Sequence, residues 1–389
     1  MNDAIEGTAR YANGRIIRDA DSHVMETRDW LTPFLDAPFA ERIEPLFAAD
    51  SLIAKLVADA KQRRSDPHAR ARDAVNPIAG AKGWNGYGAS DPVERKEMLE
   101  HLGFSSQLVF PTAGVRPLHA AKDLDTRYAV SRAYNRAITA FCSSPRMIAV
   151  GYVTLDDPPR ALEEAKRAID LGCGAIMFPS GPAGDRSPGH SAFDPLWAQL
   201  SARSIPFMLH IGAGTRAQPK AFQNNGRKRA PDLHGGGENL RFCDYIMLWY
   251  APQVFLTAMI YDGVFERFPK LRGGVIESGA GWVPDFLRQL DLGYKAFSRT
   301  DPYLKELSMP PSAYLRRAIK FTPFAGEEVG RMIQDAGPDL FLFSTDYPHP
   351  EGTKDPLGRF ERSMADVDEA AKEKFYHRNF EMMMGMEAS

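Results

Sequence analysis

The 389-residue sequence has three cysteines, Cys142, Cys173 and Cys243, and no Cys-x-x-Cys pair. That spacing excludes a disulfide framework and a structural zinc knot, and it suits reduced thiols in a cytoplasm. Charge of one sign is also lacking: the formal net charge is −2, and no basic stripe carries interleaved aromatics. A nucleic-acid partner is therefore not expected. Residues Met1 to Gly14 are polar and lack the apolar core of a signal peptide. Long hydrophobic runs are nearly absent. The single candidate, Tyr245 to Tyr261, is broken by Pro252-Gln253 and bounded by Asp244 and Asp262. It reads as a buried helix or a subunit contact, not a membrane span, and a homo-oligomer, or a hetero-oligomer with a related subunit, is expected. No repeat, heptad run or low-complexity linker marks a second domain.

What is present is an alternation. Eight short apolar runs stand out: Arg15–Asp21, Ser105–Pro111, Met147–Leu155, Gly174–Pro179, Pro206–Ile211, Gly273–Glu277, Ile319–Phe324 and Leu340–Ser344. Several are continuous rather than alternating, as strands buried on both faces are. Helical patterns separate most of them, at Asp156–Leu171, Phe193–Arg203, Val283–Leu292 and Gly326–Ala336, with Asp366–Phe380 closing the chain. Repeated strand–helix units predict an α/β fold, a (β/α)8 TIM barrel in one domain over residues 1–389. Two long insertions, 48–104 after the first strand and 212–240 after the fifth, are expected to wall or lid the active face. The first holds the charged Asp59–Asp73 and a glycine-rich stretch with Trp84 and Tyr87. The second holds Arg216, Lys220, Arg227, Lys228, Arg229 and His234.

Candidate ligands fall where such a barrel keeps its chemistry, at the C-terminal ends of the strands. Asp21 and His23 end the first run, His210 lies near the end of the fifth, Glu277 ends the sixth and Asp346 follows the eighth. Glu26, His234 and His349 are close enough in sequence to join from loops. Glu277 is the hardest to dismiss, because an acid after Val275-Ile276 in a buried strand needs a partner. Imidazoles and carboxylates without thiolate suit zinc, manganese or iron(II). Carboxylates converging in one mouth repel unless cations balance them, so one or two divalent ions are expected. The metal set is Asp21, His23, Glu26, His210, Glu277, Asp346 and His349, with Asp346, Glu277 and His210 as catalytic candidates. Trp84, Tyr87, Phe110, Arg216 and His234 are candidate contacts to a small-molecule substrate.

Three stretches carry a resemblance: Asp19-Ala-Asp-Ser-His23, Phe207-Met-Leu-His210 and Phe343-Ser-Thr-Asp346-Tyr-Pro, supported by Phe193-Asp-Pro-Leu-Trp197 and Asn379-Phe-Glu-Met-Met-Met-Gly385. From about Arg15 to Gly385 the chain resembles the amidohydrolase-related branch of the amidohydrolase superfamily, which includes aminocarboxymuconate-semialdehyde and hydroxybenzoate decarboxylases and ring-cleavage-product hydrolases. The resemblance implies a metal-dependent enzyme with His23, His210 and Asp346 bound to the metal. In hydrolytic members the metal activates water; in decarboxylating members it holds the substrate carboxylate. The sequence departs from the pattern twice, with Asp21 in place of the first histidine of His-x-His and Glu277 in place of the sixth-strand histidine. The expectation is a hydrolase or C–C lyase acting on a small carboxylated or cyclic compound. The alternatives are a dinuclear non-haem iron or iron/manganese oxygenase on the same barrel and, last, a non-catalytic scaffold subunit.

Overall fold

A computed structural model describes residues 11–27, 29–46, 51–212, 220–228 and 242–386. It shows an α/β fold built on a parallel sheet, consistent with a TIM barrel. The strands are β1 (Arg18–Asp19), β2 (His23–Val24), β3 (Ser106–Pro111), β4 (Met147–Tyr152), β5 (Ala175–Phe178), β6 (Phe207–His210), β7 (Gly273–Ile276) and β8 (Ile319–Phe321). The order is β1-β3-β4-β5-β6-β7-β8, with β2 also on β3, and every pairing is parallel. β3, β5, β6 and β7 are buried along their whole length, which is why their sequences run apolar without alternation.

The first expected strand, Arg15–Asp21, is shortened to β1, and a second short strand, β2, follows beyond its end. The buried Asp19 carboxylate accepts the Asp21 N–H at 3.2 Å, so that amide is taken from the ladder where the chain steps from β1 to β2. The eighth expected strand, Leu340–Ser344, joins its neighbours through single bridges, Phe321 to Phe341 and Ser22 to Tyr347. It nevertheless bonds on both sides. Phe321 N–H donates to the Leu340 carbonyl and Leu342 N–H to the Phe321 carbonyl, both at 2.9 Å. On the other side Ala20 N–H donates to Phe343 O (3.0 Å), Asp346 N–H to Asp21 O (2.9 Å) and His23 N–H to Tyr347 O (2.7 Å). The last segment of the sheet thus lies between β8 and the first strands. Phe343 anchors it in the core, with Phe104, Phe360 and Phe375 edge-on around its ring.

Helices form where caps and apolar faces coincide. In Pro158–Leu171 the Asp157 side chain accepts from Arg160 N–H, the buried face is Ala161, Ala165, Ala168 and Ile169, and Gly172 ends the helix at φ 108°. The stretch between the first strands and β3, expected as a long loop, is largely helical, with Ser51–Ser65, Pro67–Val75 and Pro92–Leu102. The second and third of these start at the capping aspartates Asp66 and Asp91. This stretch leans on the end of the sheet: Gly83 N–H donates to the Pro348 carbonyl at 2.6 Å, and the Tyr347 hydroxyl to the Tyr87 carbonyl at 2.9 Å. The apolar run near residue 250 forms a 12-residue helix, Tyr250–Tyr261, which buries Phe255, Leu256, Met259 and Ile260 and exposes Val254. Among the described residues no helix is long and apolar enough to cross a membrane.

Candidate metal centre

The parallel registers level the candidate ligands. His23 pairs with Phe110 across β2 and β3, and His210 pairs with Ile276, the residue before Glu277, across β6 and β7. The bond from Asp346 N–H to Asp21 O brings the last segment to the same height. Two overlapping groups result, Asp21–His23–His210–Glu277 and His23–Glu277–Asp346–His349, and in each the ligand atoms lie within 4.8 Å of one another. His23 Nε2 is 3.2 Å from Asp21 Oδ1, 3.6 Å from Asp346 Oδ1 and 3.7 Å from Glu277 Oε2. His210 Nε2 is 3.4 Å from Asp21 Oδ1 and 3.3 Å from Glu277 Oε2. His349 Nδ1 is 2.8 Å from Asp346 Oδ1.

The histidines are oriented from behind. His23 Nδ1 contacts the Pro111 carbonyl at 3.0 Å and His210 Nδ1 the Ile211 carbonyl at 2.9 Å. A carbonyl only accepts, so each Nδ1 carries the proton and each Nε2 lone pair faces the carboxylates. His349 is turned the other way, its Nε2 on the Thr112 hydroxyl at 3.0 Å and its Nδ1 toward the cluster. The rings of His23 and His349 stack at 3.8 Å. Burial, reinforced by His349, pushes the His23 imidazole down to about 4, so it is neutral near pH 7. His23 Nε2 and Asp346 Oδ1 are buried among the other candidates of the cluster without a well-formed hydrogen bond. Neutral imidazole lone pairs and carboxylate oxygens aimed at a common point are the donor set of a divalent metal, which supplies the charge this site lacks.

Both carboxylates that end the later strands sit in left-handed backbone, Glu277 at φ 51° and Asp346 at φ 52°. That region is costly for side chains with a Cβ, by roughly 1–2 kcal/mol per residue, so surrounding bonds must hold them there. Thr322 Oγ1 accepts the Glu277 N–H at 2.9 Å. Asp19, fully buried, accepts from Asp21 N–H, Thr345 N–H, the Thr345 hydroxyl and Gln107 Nε2, and so ties the turn before His23 to the turn before Asp346. Arg95, also fully buried, continues the network, with Nη1 donating to Gln107 Oε1 and Nη2 to the His23 carbonyl.

Not every expected residue joins the site. Glu26 stands apart: its carboxylate accepts the N–H groups of Thr112 (3.1 Å) and Ala113 (2.8 Å), so it orders the turn after β3 instead of ligating. The Trp84 indole donates to the Glu26 carbonyl and packs with Met25, Val57 and Ala89 beneath the helical insertion. Tyr87 is bonded to Glu97. Neither ring lines the cavity at the ligand cluster. Phe110 does border the site, its ring 4.6 Å from that of His210. Arg216 and His234 lie outside the described residues. The cavity, about 250 Å³, has Asp21, Glu277 and Asp346 in its lining together with Tyr245, Leu248 and Phe324. These last three were not anticipated; Tyr245 and Leu248 come from the apolar run that read as a buried helix or a subunit contact. Thr112 and Asp19 were missed as supports, although Asp19 stands in the Asp-Ala-Asp-Ser-His motif itself.

Comparison with known proteins places this geometry in context. The amidohydrolase family model matches residues 20–380. An amidohydrolase from Mycobacterium avium subsp. paratuberculosis K-10 superposes with a TM-score of 0.73 at 22% identity, covering 96% of this chain and 100% of that one. A 5-carboxyvanillate decarboxylase from Novosphingobium aromaticivorans, solved with manganese and a nitrobenzoic acid, gives 0.64 at 19% identity, covering 97% and 100%. A 2,6-dihydroxybenzoate decarboxylase from Rhizobium gives 0.60 at 16% identity, covering 96% and 99%.

Proposed function

This chain belongs to the amidohydrolase family, and from that premise we propose that it is a metal-dependent hydrolase or C–C lyase, decarboxylase-like, acting on a small carboxylated or cyclic compound. The observation that carries the reading is the convergence of three rear-anchored imidazoles on three carboxylates beside a cavity. In this reading the sheet is a closed (β/α)8 barrel in a single domain over residues 1–389. Insertions 48–104 and 212–240 wall its C-terminal face.

Asp21, His23, His210, Glu277, Asp346 and His349 are the groups that would hold the metal. A divalent ion bound there supplies Lewis-acid charge, polarising a substrate carbonyl or carboxylate or lowering the pKa of bound water. Asp346 and Glu277 face the cavity and are placed to pass a proton to or from a substrate. Tyr245, Leu248 and Phe324 offer an apolar wall to a ring or chain. The decarboxylases of similar fold act on ring carboxylates, and one holds manganese, which supports a carboxylated ring as the first substrate class to try.

The overlap of the two ligand groups at His23 and Glu277 favours a second reading, a dinuclear iron or iron/manganese oxygenase. Elemental analysis of protein purified without chelator separates the cases. About one manganese or zinc per chain, with CO2 release or hydrolysis from a panel of aromatic acids and esters, supports the first. About two metals including iron, with oxygen uptake, supports the second. Protein without metal, whose Asp346→Ala variant is unaltered in every assay, would be a scaffold subunit.

A further inference from the structure

The turn that follows Glu277 is pinned from outside its own strand. Immediately after Glu277 the chain turns through Ser278, Gly279 (φ 64°), Ala280 and Gly281. The carboxylate of Glu327, from the loop that follows β8, spans that turn. Its Oε1 accepts the N–H of Gly281 at 2.7 Å, and its Oε2 accepts the N–H of Ala280 at 3.0 Å and of Phe324 at 2.7 Å. One side chain therefore fixes three backbone amides, two just past a metal-ligand candidate and one on a residue of the cavity wall. Bonds from backbone N–H to an ionised carboxylate are about twice as strong as neutral ones. A turn pinned at Ala280 and Gly281 resists relaxation of Glu277 toward ordinary backbone, which would swing its carboxylate off the cluster. The fit is close: a Cβ on Gly281 would lie 2.8 Å from Glu327 Oε1.

We propose that Glu327 is a positioning residue for the metal centre, holding Glu277 at the ligand cluster and Phe324 at the cavity wall without itself touching metal or substrate. The inference rests on the metal-centre reading above. Glu327→Gln keeps the shape but turns one oxygen into an N–H2 group facing N–H donors, whichever way the amide is set. Gly281→Ala attacks the same contact from the opposite side, by displacing the carboxylate.

The test is the Mn2+ dissociation constant of the full-length chain, measured by calorimetric titration of chelator-treated protein, alongside the melting temperature of the metal-free form. Both variants are expected to weaken Mn2+ binding about tenfold or more, the size typical of groups that orient ligands. In a Glu277→Gln background, Glu327→Gln should add less than a twofold further loss, because the ligand it positions is already impaired. A merely structural Glu327 would lower the metal-free melting temperature and leave the Mn2+ constant unchanged, or weaken binding equally in both backgrounds; either result overturns the proposal. If Glu327→Gln does not fold, Gly281→Ala carries the same comparison. Wild-type protein that binds no Mn2+ would overturn the metal reading and this inference together. Wild type that binds Mn2+ while both variants match it overturns only the role of Glu327.

Discussion

Asp19 offers the sharpest quantitative test of how the two ends of the chain are held. Its buried carboxylate faces four donors: the N–H groups of Asp21 and Thr345, Gln107 Nε2 and the Thr345 hydroxyl. In Asp19→Ala the hydroxyl can turn away, but the two backbone amides and the Gln107 amide cannot. Each buried donor without an acceptor costs about 1–3 kcal/mol. Water entering the vacated space recovers part of that, so the net loss should be about 3–5 kcal/mol. Asp19→Asn is milder. Its oxygen can still serve the two backbone amides, while its N–H2 meets Gln107 Nε2, and Gln107 cannot flip because its Oε1 accepts from Arg95 Nη1 at 3.1 Å. One frustrated donor pair corresponds to about 1–2 kcal/mol. Urea denaturation of the metal-free variants reads both values, and the order Ala worse than Asn worse than wild type is the signature. An alanine variant within about 1 kcal/mol of wild type would refute the idea that Asp19 carries the tie between the first and last segments.

Three further outcomes are expected. Glu277→Gln keeps the shape and backbone of the site and should lower metal content or affinity roughly tenfold or more; equal metal content by elemental analysis would remove Glu277 from the centre. Chelator treatment should lower the melting temperature, and adding back excess metal should restore it, by about 2.7 kcal/mol of stability at 100 times the dissociation constant; a melting temperature indifferent to metal would argue against a bound ion. Lys82 sits with a buried Nζ that has no hydrogen-bonding partner, 5.0 Å from the Tyr347 ring centroid, and burial pushes its ammonium down to about 8 despite Asp346. Between pH 8 and 10.5 the unfolded chain keeps a proton that the folded one has released, so stability from this group rises with pH there and its cost is complete below pH 8. Lys82→Met should therefore stabilise by about 1–3 kcal/mol at pH 7 and by little above pH 10, and a variant no more stable than wild type at pH 7 would contradict the burial of an unpaired charge.

The residues of the cluster were legible because strand ends announce themselves: Asp21, His23, His210, Glu277 and Asp346 each close or follow an apolar run. His349 was readable as a near neighbour of Asp346. Glu26 misled because proximity in sequence to His23 says nothing of the amides of Thr112 and Ala113, in the turn after β3, which claim its carboxylate. Trp84 and Tyr87 misled for a similar reason, since a glycine-rich stretch conceals the helices on either side of it and their demand for buried rings. The supports, Thr112, Asp19 and Glu327, act through contacts between distant segments, and single-sequence patterns carry no such pairing. The cavity wall escaped because Tyr245 and Leu248 look, in one dimension, like any buried residues.

The tie between Asp19 and Thr345 joins positions 326 residues apart. During translation the ribosome therefore delivers Asp21 and His23 long before Asp346 and His349 emerge. The first ligand group, Asp21–His23–His210–Glu277, is complete in sequence once Glu277 is made, whereas Thr322, which accepts the Glu277 N–H, and then Asp346 and His349 follow later. An ion held by all six residues would find its full set of donors only late in synthesis. Such an ion would meet the cavity only once the last segment lies between β8 and the first strands, and selection among ions would then fall to that cavity rather than to an open chain.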